Sequence, residues 1–138
     1  MDRLFLDANV LFSAAYKADA GLLQLWKLKN AVLCSSRYAL EEATANLTHA
    51  DQRIRLTKLS QPIHLFEAGQ TKLSPAIALP EKDAPILLAA IEARSSHLLT
   101  GDIRHFEPYF GKQIEGVTIM LPGVYLRSRR EVGPRPRN

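Results

Sequence analysis

The sequence predicts an α/β fold in three layers (α/β/α), with helices on both faces of a central, mainly parallel sheet. Three observations predict it. Short apolar runs recur along the chain, at Arg3–Leu6, Ala31–Cys34, Ile63–Phe66, His97–Thr100 and Val117–Met120. Their brevity and lack of alternation suit strands buried on both faces. Helical patterns separate most of them, as strand–helix–strand units require. Acidic residues stand just beyond the runs or at the start of the next helix, and parallel sheets place their chemistry beyond the carboxyl ends of the strands.

Each element follows in order. Arg3–Leu6 leads into the polar Asp7-Ala8-Asn9, which marks the exit of a buried strand. Val10–Tyr16 and Gly21–Lys29 read as helical, with Leu22, Leu25, Trp26 and the stem of Lys29 on one face at i, i+3, i+4 spacing. Ala31–Cys34 is a second strand, and Ser35 or Ser36 caps a helix to about Leu47. Asp51 is the expected cap of the next helix, with Ile54, Leu56 and Leu59 as its partly apolar side. Ile63–Phe66 is a third strand, and 74–80 is loop-like. Asp83 is the expected N-cap of the strongest helix, which tolerates Pro85 in its first turn. Ile86, Leu87, Ala90 and Ile91 form its apolar stripe, and it ends near Ser95. His97–Thr100 is a strand closed by Gly101-Asp102, followed by a short helical piece over Ile103–Phe110. Val117–Met120 is the last strand, and Pro122 opens a helix to about Arg130. The expected organisation is one domain over 1–130 and a disordered basic tail over 131–138.

Composition bounds the function. The 138 residues include 18 Lys+Arg and 14 Asp+Glu, a formal charge of +4. Residues 127–138 hold five arginines against Glu131, so the whole surplus lies there and residues 1–126 are neutral. A uniformly basic protein that coats nucleic acid is excluded. The single cysteine, Cys34, excludes an internal disulfide and a Cys-rich metal site, and its apolar run makes it a buried strand residue. No apolar stretch approaches the roughly 18 residues of a membrane span. The first residues lack the basic-then-apolar pattern of a signal peptide, so a cytoplasmic protein is expected.

The acids carry the functional signal. Asp7 and Asp102 follow strands, Asp83 opens the helix that leads into the fourth strand, and Glu41 and Glu42 lie one turn into a helix. Carboxylates gathered at one sheet edge repel, and their pKa values rise. A hard divalent cation such as Mg²⁺ or Mn²⁺ removes that conflict. The histidines, at 49, 64, 97 and 105, show no zinc-ligand spacing. Bland readings exist: Asp83 and Asp102 as plain helix caps, Glu41 and Glu42 as solvated residues. Asp7 resists one, because it interrupts an otherwise buried run.

Four blocks together resemble the PIN domain, the fold of many metal-dependent ribonucleases, including toxins of toxin–antitoxin pairs. They are Phe5-Leu-Asp7-Ala-Asn9-Val-Leu, Ser36-Arg-Tyr-Ala-Leu-Glu-Glu42, Asp83-Ala-Pro-Ile-Leu-Leu-Ala-Ala and Leu98-Leu-Thr100-Gly-Asp102. The resemblance spans residues 3 to about 126. It implies an acidic, catalytic and metal-binding site of Asp7, Glu42, Asp83 and Asp102, supported by Asn9, Thr100 and Ser13. It favours Glu42 over Glu41 by the spacing from Ser36. It also implies Mg²⁺- or Mn²⁺-dependent hydrolysis of RNA to a 3′-hydroxyl and a 5′-phosphate and a homodimer; a toxin with an antitoxin partner and a stand-alone processing nuclease both fit a chain of this size. The chain departs from the pattern after Asp102, where Ile103-Arg104-His105 replaces a further acid.

Candidate RNA contacts are Arg37, Arg104 and His105. Lys27, Lys29, Arg37, Arg53, Arg55 and Lys58 form a basic set on and near the helices beside Glu42. Two other readings remain: a PIN fold that only binds RNA or protein, and an aspartyl phosphotransferase on Asp7. The second lacks the acid two residues on, where Asn9 stands.

Overall fold

The computed structural model describes residues 1–68 and 72–132. Strands β1 (Asp2–Leu6), β2 (Ala31–Ser36), β3 (His64–Phe66), β4 (His97–Leu99), β5 (Gln113–Ile114) and β6 (Val117–Met120) form one sheet in the order β3-β2-β1-β4-β6-β5. All neighbours are parallel except β5 and β6. The helices are α1 (Ala8–Tyr16), α2 (Arg37–Asn46), α3 (Ala50–Ser60), α4 (Ala84–Glu92), α5 (Ile103–Phe106) and α6 (Pro122–Val132). Short 3₁₀ segments cover Gly21–Lys27 and Glu107–Tyr109.

From β1 the chain steps to β2 and β3 on one side, while β4 and β6 lie on the other. Right-handed crossovers put connections running in opposite directions on opposite faces, which yields the expected three layers. Consecutive residues of the central strands are buried: Leu4, Phe5 and Leu6 of β1, and Leu98 and Leu99 of β4. That is why these strands read as unbroken apolar runs. Val10, Leu11, Ala14 and Ala15 of α1 add to the core, as do Ile86, Leu87, Ala89 and Ala90 of α4.

The structure departs from the sequence reading in several places. Gly21–Lys27 is 3₁₀ rather than α, and Lys29 lies outside it. Leu25 is buried there, while Trp26 is half-buried and donates its indole N–H to the Leu59 carbonyl at 2.8 Å. Asp51 is not the cap of α3. His49 holds that position, and its backbone N–H donates to Gln52 Oε1 at 3.2 Å. Ile54 points to solvent, and the buried Gln52 takes a place on the inner side, donating to the Tyr16 carbonyl at 3.1 Å. α4 ends at Glu92, short of Ser95.

Strand β5 is absent from the sequence reading. It is two residues long and joins β6 through Glu115 and Gly116, both at positive φ (51° and 87°), a two-residue hairpin turn. The last helix runs past Arg130 to Val132, so residues 131 and 132 belong to it and not to the expected disordered tail, and the rest of that tail, 133–138, lies outside the described residues. Tyr125 anchors α6: its hydroxyl donates to Asp2 Oδ2 at 2.5 Å and accepts from Arg129 Nη1 at 2.7 Å.

Candidate metal centre

β1 and β4 end side by side, and their connections depart in opposite directions. Such a switch point opens a crevice outside the strand ends. The Asp7 N–H donates to the Leu99 carbonyl at 3.1 Å, which fixes the two exits against each other. A cleft of about 410 Å³ opens there, lined by Asp7, Asn9, Glu42, Asp83 and Asp102, with Phe12, Asn46 and Lys82 around them.

Asp7 is 4% exposed. It is the N-cap of α1, and Oδ1 accepts from the Ala8 N–H at 2.6 Å. Oδ2 accepts from the Thr100 hydroxyl at 2.8 Å and from Asn9 Nδ2 at 3.3 Å. Burial pushes its pKa from 3.8 to about 6; the nearby charges of Asp83 and Glu42 add to the rise, and the Thr100 and Ala8 hydrogen bonds oppose it.

Asn9 and Thr100 are the expected supports. Asn9 Oδ1 accepts from the Gly101 N–H at 2.8 Å, and its Nδ2 reaches both Asp7 and Thr100. Buried Thr100 also accepts from the Asp102 N–H at 3.0 Å. Gly101 suits this approach, since an added Cβ would sit 3.4 Å from Asn9 Oδ1. Ser13, also expected as a support, is exposed one turn beyond Asn9 and does not line the cleft.

Asp83 holds the N-cap position of α4, but its side chain does not cap the helix. It is buried, and its Oδ2 completes no hydrogen bond. Burial raises its pKa; the Asp102 charge adds, while His105 and Lys82 oppose. Asp102 does act as a cap, Oδ1 accepting from the His105 N–H at 3.2 Å. Its Oδ2 lies 2.8 Å from His105 Nδ1, and Asp83 Oδ2 lies 2.7 Å from the same nitrogen. One atom from each of Asp83, Asp102 and His105 falls within 4.8 Å of the others, a group able to hold a metal ion.

Glu42, rather than Glu41, lines the cleft. Ser36 caps α2 by accepting from the Ala39 N–H at 3.0 Å and so sets the phase of that helix. Arg37 is exposed and pairs with Glu67 at 3.4 Å, outside the cleft lining. Arg104 is exposed and also outside the lining. His105 is turned into the acids rather than outward. Two arginines of the basic set brace the backbone instead: Arg53 donates to the Leu47 carbonyl at 2.8 Å and Arg55 to that of Ala15 at 2.6 Å.

Sequence reasoning missed Lys82 and Phe12. Lys82 is the one cation among the cleft-lining residues. Its carbonyl accepts from the Tyr38 hydroxyl at 3.0 Å, a tie between α2 and the approach to α4 that no sequence spacing signals. Among the described residues, no helix is long and apolar enough to cross a membrane. Compared with family models and with curated proteins, the sequence gives no match.

Proposed function

We propose that the chain is a Mg²⁺- or Mn²⁺-dependent ribonuclease of the PIN type. One observation carries the reading: Asp7, Glu42, Asp83 and Asp102, from four separate sequence blocks, line one cleft beyond the ends of β1 and β4. The fit to a cation rests on Asp83 Oδ2, buried in the cleft beside the Asp102 carboxylate, where its one close polar contact is a poorly directed one with His105 Nδ1 at 2.7 Å. Two carboxylates so placed around one imidazole are more fully satisfied by a cation. Asp7, Asp83 and Asp102 are the residues that would hold the ion, with Glu42 as a further ligand or as a base.

Bound there, a divalent cation would supply an acidified water and charge neutralisation at the scissile phosphate. The protein does the rest. Thr100 and Asn9 orient Asp7 by hydrogen bonds. Exposed Glu42 lines the same cleft and would be the group to take a proton from the attacking water. Lys82 offers its ammonium to a phosphate oxygen against the repulsion of four acids. The same proposal includes a cytoplasmic toxin role with an antitoxin partner and a homodimer.

The test is cleavage of a mixed single-stranded RNA pool by the full chain with Mg²⁺, with Mn²⁺ and with EDTA. Metal-dependent products carrying 3′-hydroxyl and 5′-phosphate ends are expected. Retained RNA binding without cleavage under any metal would identify a binding module instead.

A further inference from the structure

We propose that His105 is itself a metal ligand, so that Asp83, Asp102 and His105 form a mixed oxygen–nitrogen site that takes Mn²⁺ in preference to Mg²⁺. The inference rests on the metal-dependent reading above and deepens it, since nothing in the four-acid pattern calls for a nitrogen donor.

The geometry points this way. His105 Nδ1 stands 2.7 Å from Asp83 Oδ2 and 2.8 Å from Asp102 Oδ2. Neighbouring ligands on an octahedral ion at roughly 2.1 Å lie roughly 3.0 Å apart, so a few tenths of an ångström of opening admits the ion. The short contacts are not well-directed hydrogen bonds: neither Asp83 Oδ2 nor His105 Nδ1 completes one, though both atoms are buried. The Asp83 side chain is only 9% exposed and lines the cleft, and its Oδ2 lies against His105 Nδ1, so an ion seated between them would satisfy both atoms.

The imidazole is also held in place. Asp102 caps the turn that carries it, and the adjacent Phe106 is fully buried. Its position three residues after Asp102 on one helical turn brings the two side chains to the same side. The chemistry follows from the donor set. Mg²⁺ selects oxygen ligands and near-ideal octahedra, whereas imidazole suits first-row transition ions. A nitrogen in place of a further acid therefore shifts preference towards Mn²⁺.

The experiment uses the full chain, stripped of metal and loaded with Mn²⁺, observed by pulsed electron paramagnetic resonance. Nitrogen modulation from a directly bound imidazole is expected, and ¹⁵N-histidine labelling should change it. In His105→Asn the modulation should vanish and Mn²⁺ affinity fall by about 10- to 100-fold, the scale seen even for outer-shell partners. Mg²⁺ affinity should fall less. The wild-type spectrum decides the matter even if the variant folds poorly. Mn²⁺ that binds, is lost in Asp83→Asn, and shows no nitrogen coupling would overturn the ligand role and leave the nuclease reading standing. Absence of any Mn²⁺ or Mg²⁺ binding would overturn both.

Discussion

Replacing Asp7 by asparagine should stabilise the metal-free protein at neutral pH while removing its chemistry. The Asp7 carboxyl titrates at about 6 against 3.8 for the exposed group, with burial as the main cause. The folded state thus binds the proton more tightly than the unfolded chain. Between about pH 4 and pH 6 the folded form holds more protons, so stability falls as pH rises through that window. Above it the ionised group costs about 3 kcal/mol, from roughly two pKa units at about 1.4 kcal/mol each. With Asp7 only 4% exposed, solvent screens little of that cost.

The Asp7→Asn variant avoids the charge. The carbonyl of the new side chain still accepts from the Ala8 N–H, but its amide faces Asn9 Nδ2 and turns the Thr100 hydroxyl around, a loss of about 1 kcal/mol. The net gain near pH 7.5 is about 2 kcal/mol, or about 7 °C in Tm for a domain of this length. Near pH 4 the gain disappears and the variant becomes the less stable by about 1 kcal/mol. Thermal unfolding in EDTA at both pH values, followed by circular dichroism, measures this. A wild type that is more stable at neutral pH, or a difference that does not change with pH, refutes the burial argument.

Three further outcomes follow from single contacts. Thr100→Val removes the hydroxyl that serves Asp7, Asn9 and the Asp102 amide, and should cost about 1–3 kcal/mol in urea unfolding and lower kcat as well. Lys82→Ala should raise KM for RNA and reduce the slope of log affinity against log salt by about one, with only a small loss in unfolding stability from the ionised Asp83 it faces. Leu98→Ala, at the centre of β4 and fully buried, should cost about 2–5 kcal/mol in the same unfolding assay.

Much of this fold was legible because parallel strands buried on both faces are written as short apolar runs. Leu4–Leu6 and Leu98–Leu99 have no exposed side to break the run, so their ends were sharp and the acids beyond them conspicuous. Register is invisible to such a reading, yet it places Leu6 beside Leu99 and so brings Asp7 to Thr100. The resemblance favoured Glu42 over Glu41 by its spacing from Ser36, and Glu42 is the one that lines the cleft, on a helix whose phase the Ser36 cap sets. Failures came where tertiary contact overrode local chemistry. Asp51 has the right residue type for a cap, but the hydrogen bond of His49 to Gln52 starts α3 earlier. Two residues of β5 carry no period at all; only the positive φ of Glu115 and Gly116 reveals that hairpin. His105 was expected as an RNA contact, and its place between Asp83 and Asp102 depends on α4 bringing Asp83 close, which no local pattern signals.

The central claim is that these acids hold an ion that cleaves RNA. It is tested most directly by comparing wild type with Asp102→Asn on single-stranded RNA in Mn²⁺, with and without EDTA. Asp102 offers a carboxylate oxygen to the group able to hold the ion, with Oδ2 facing His105, whereas the cap it makes through Oδ1 is one that asparagine can keep. The account predicts cleavage by wild type alone, abolished by EDTA, and a folded but inactive variant. Equal, EDTA-sensitive cleavage by both proteins would contradict it.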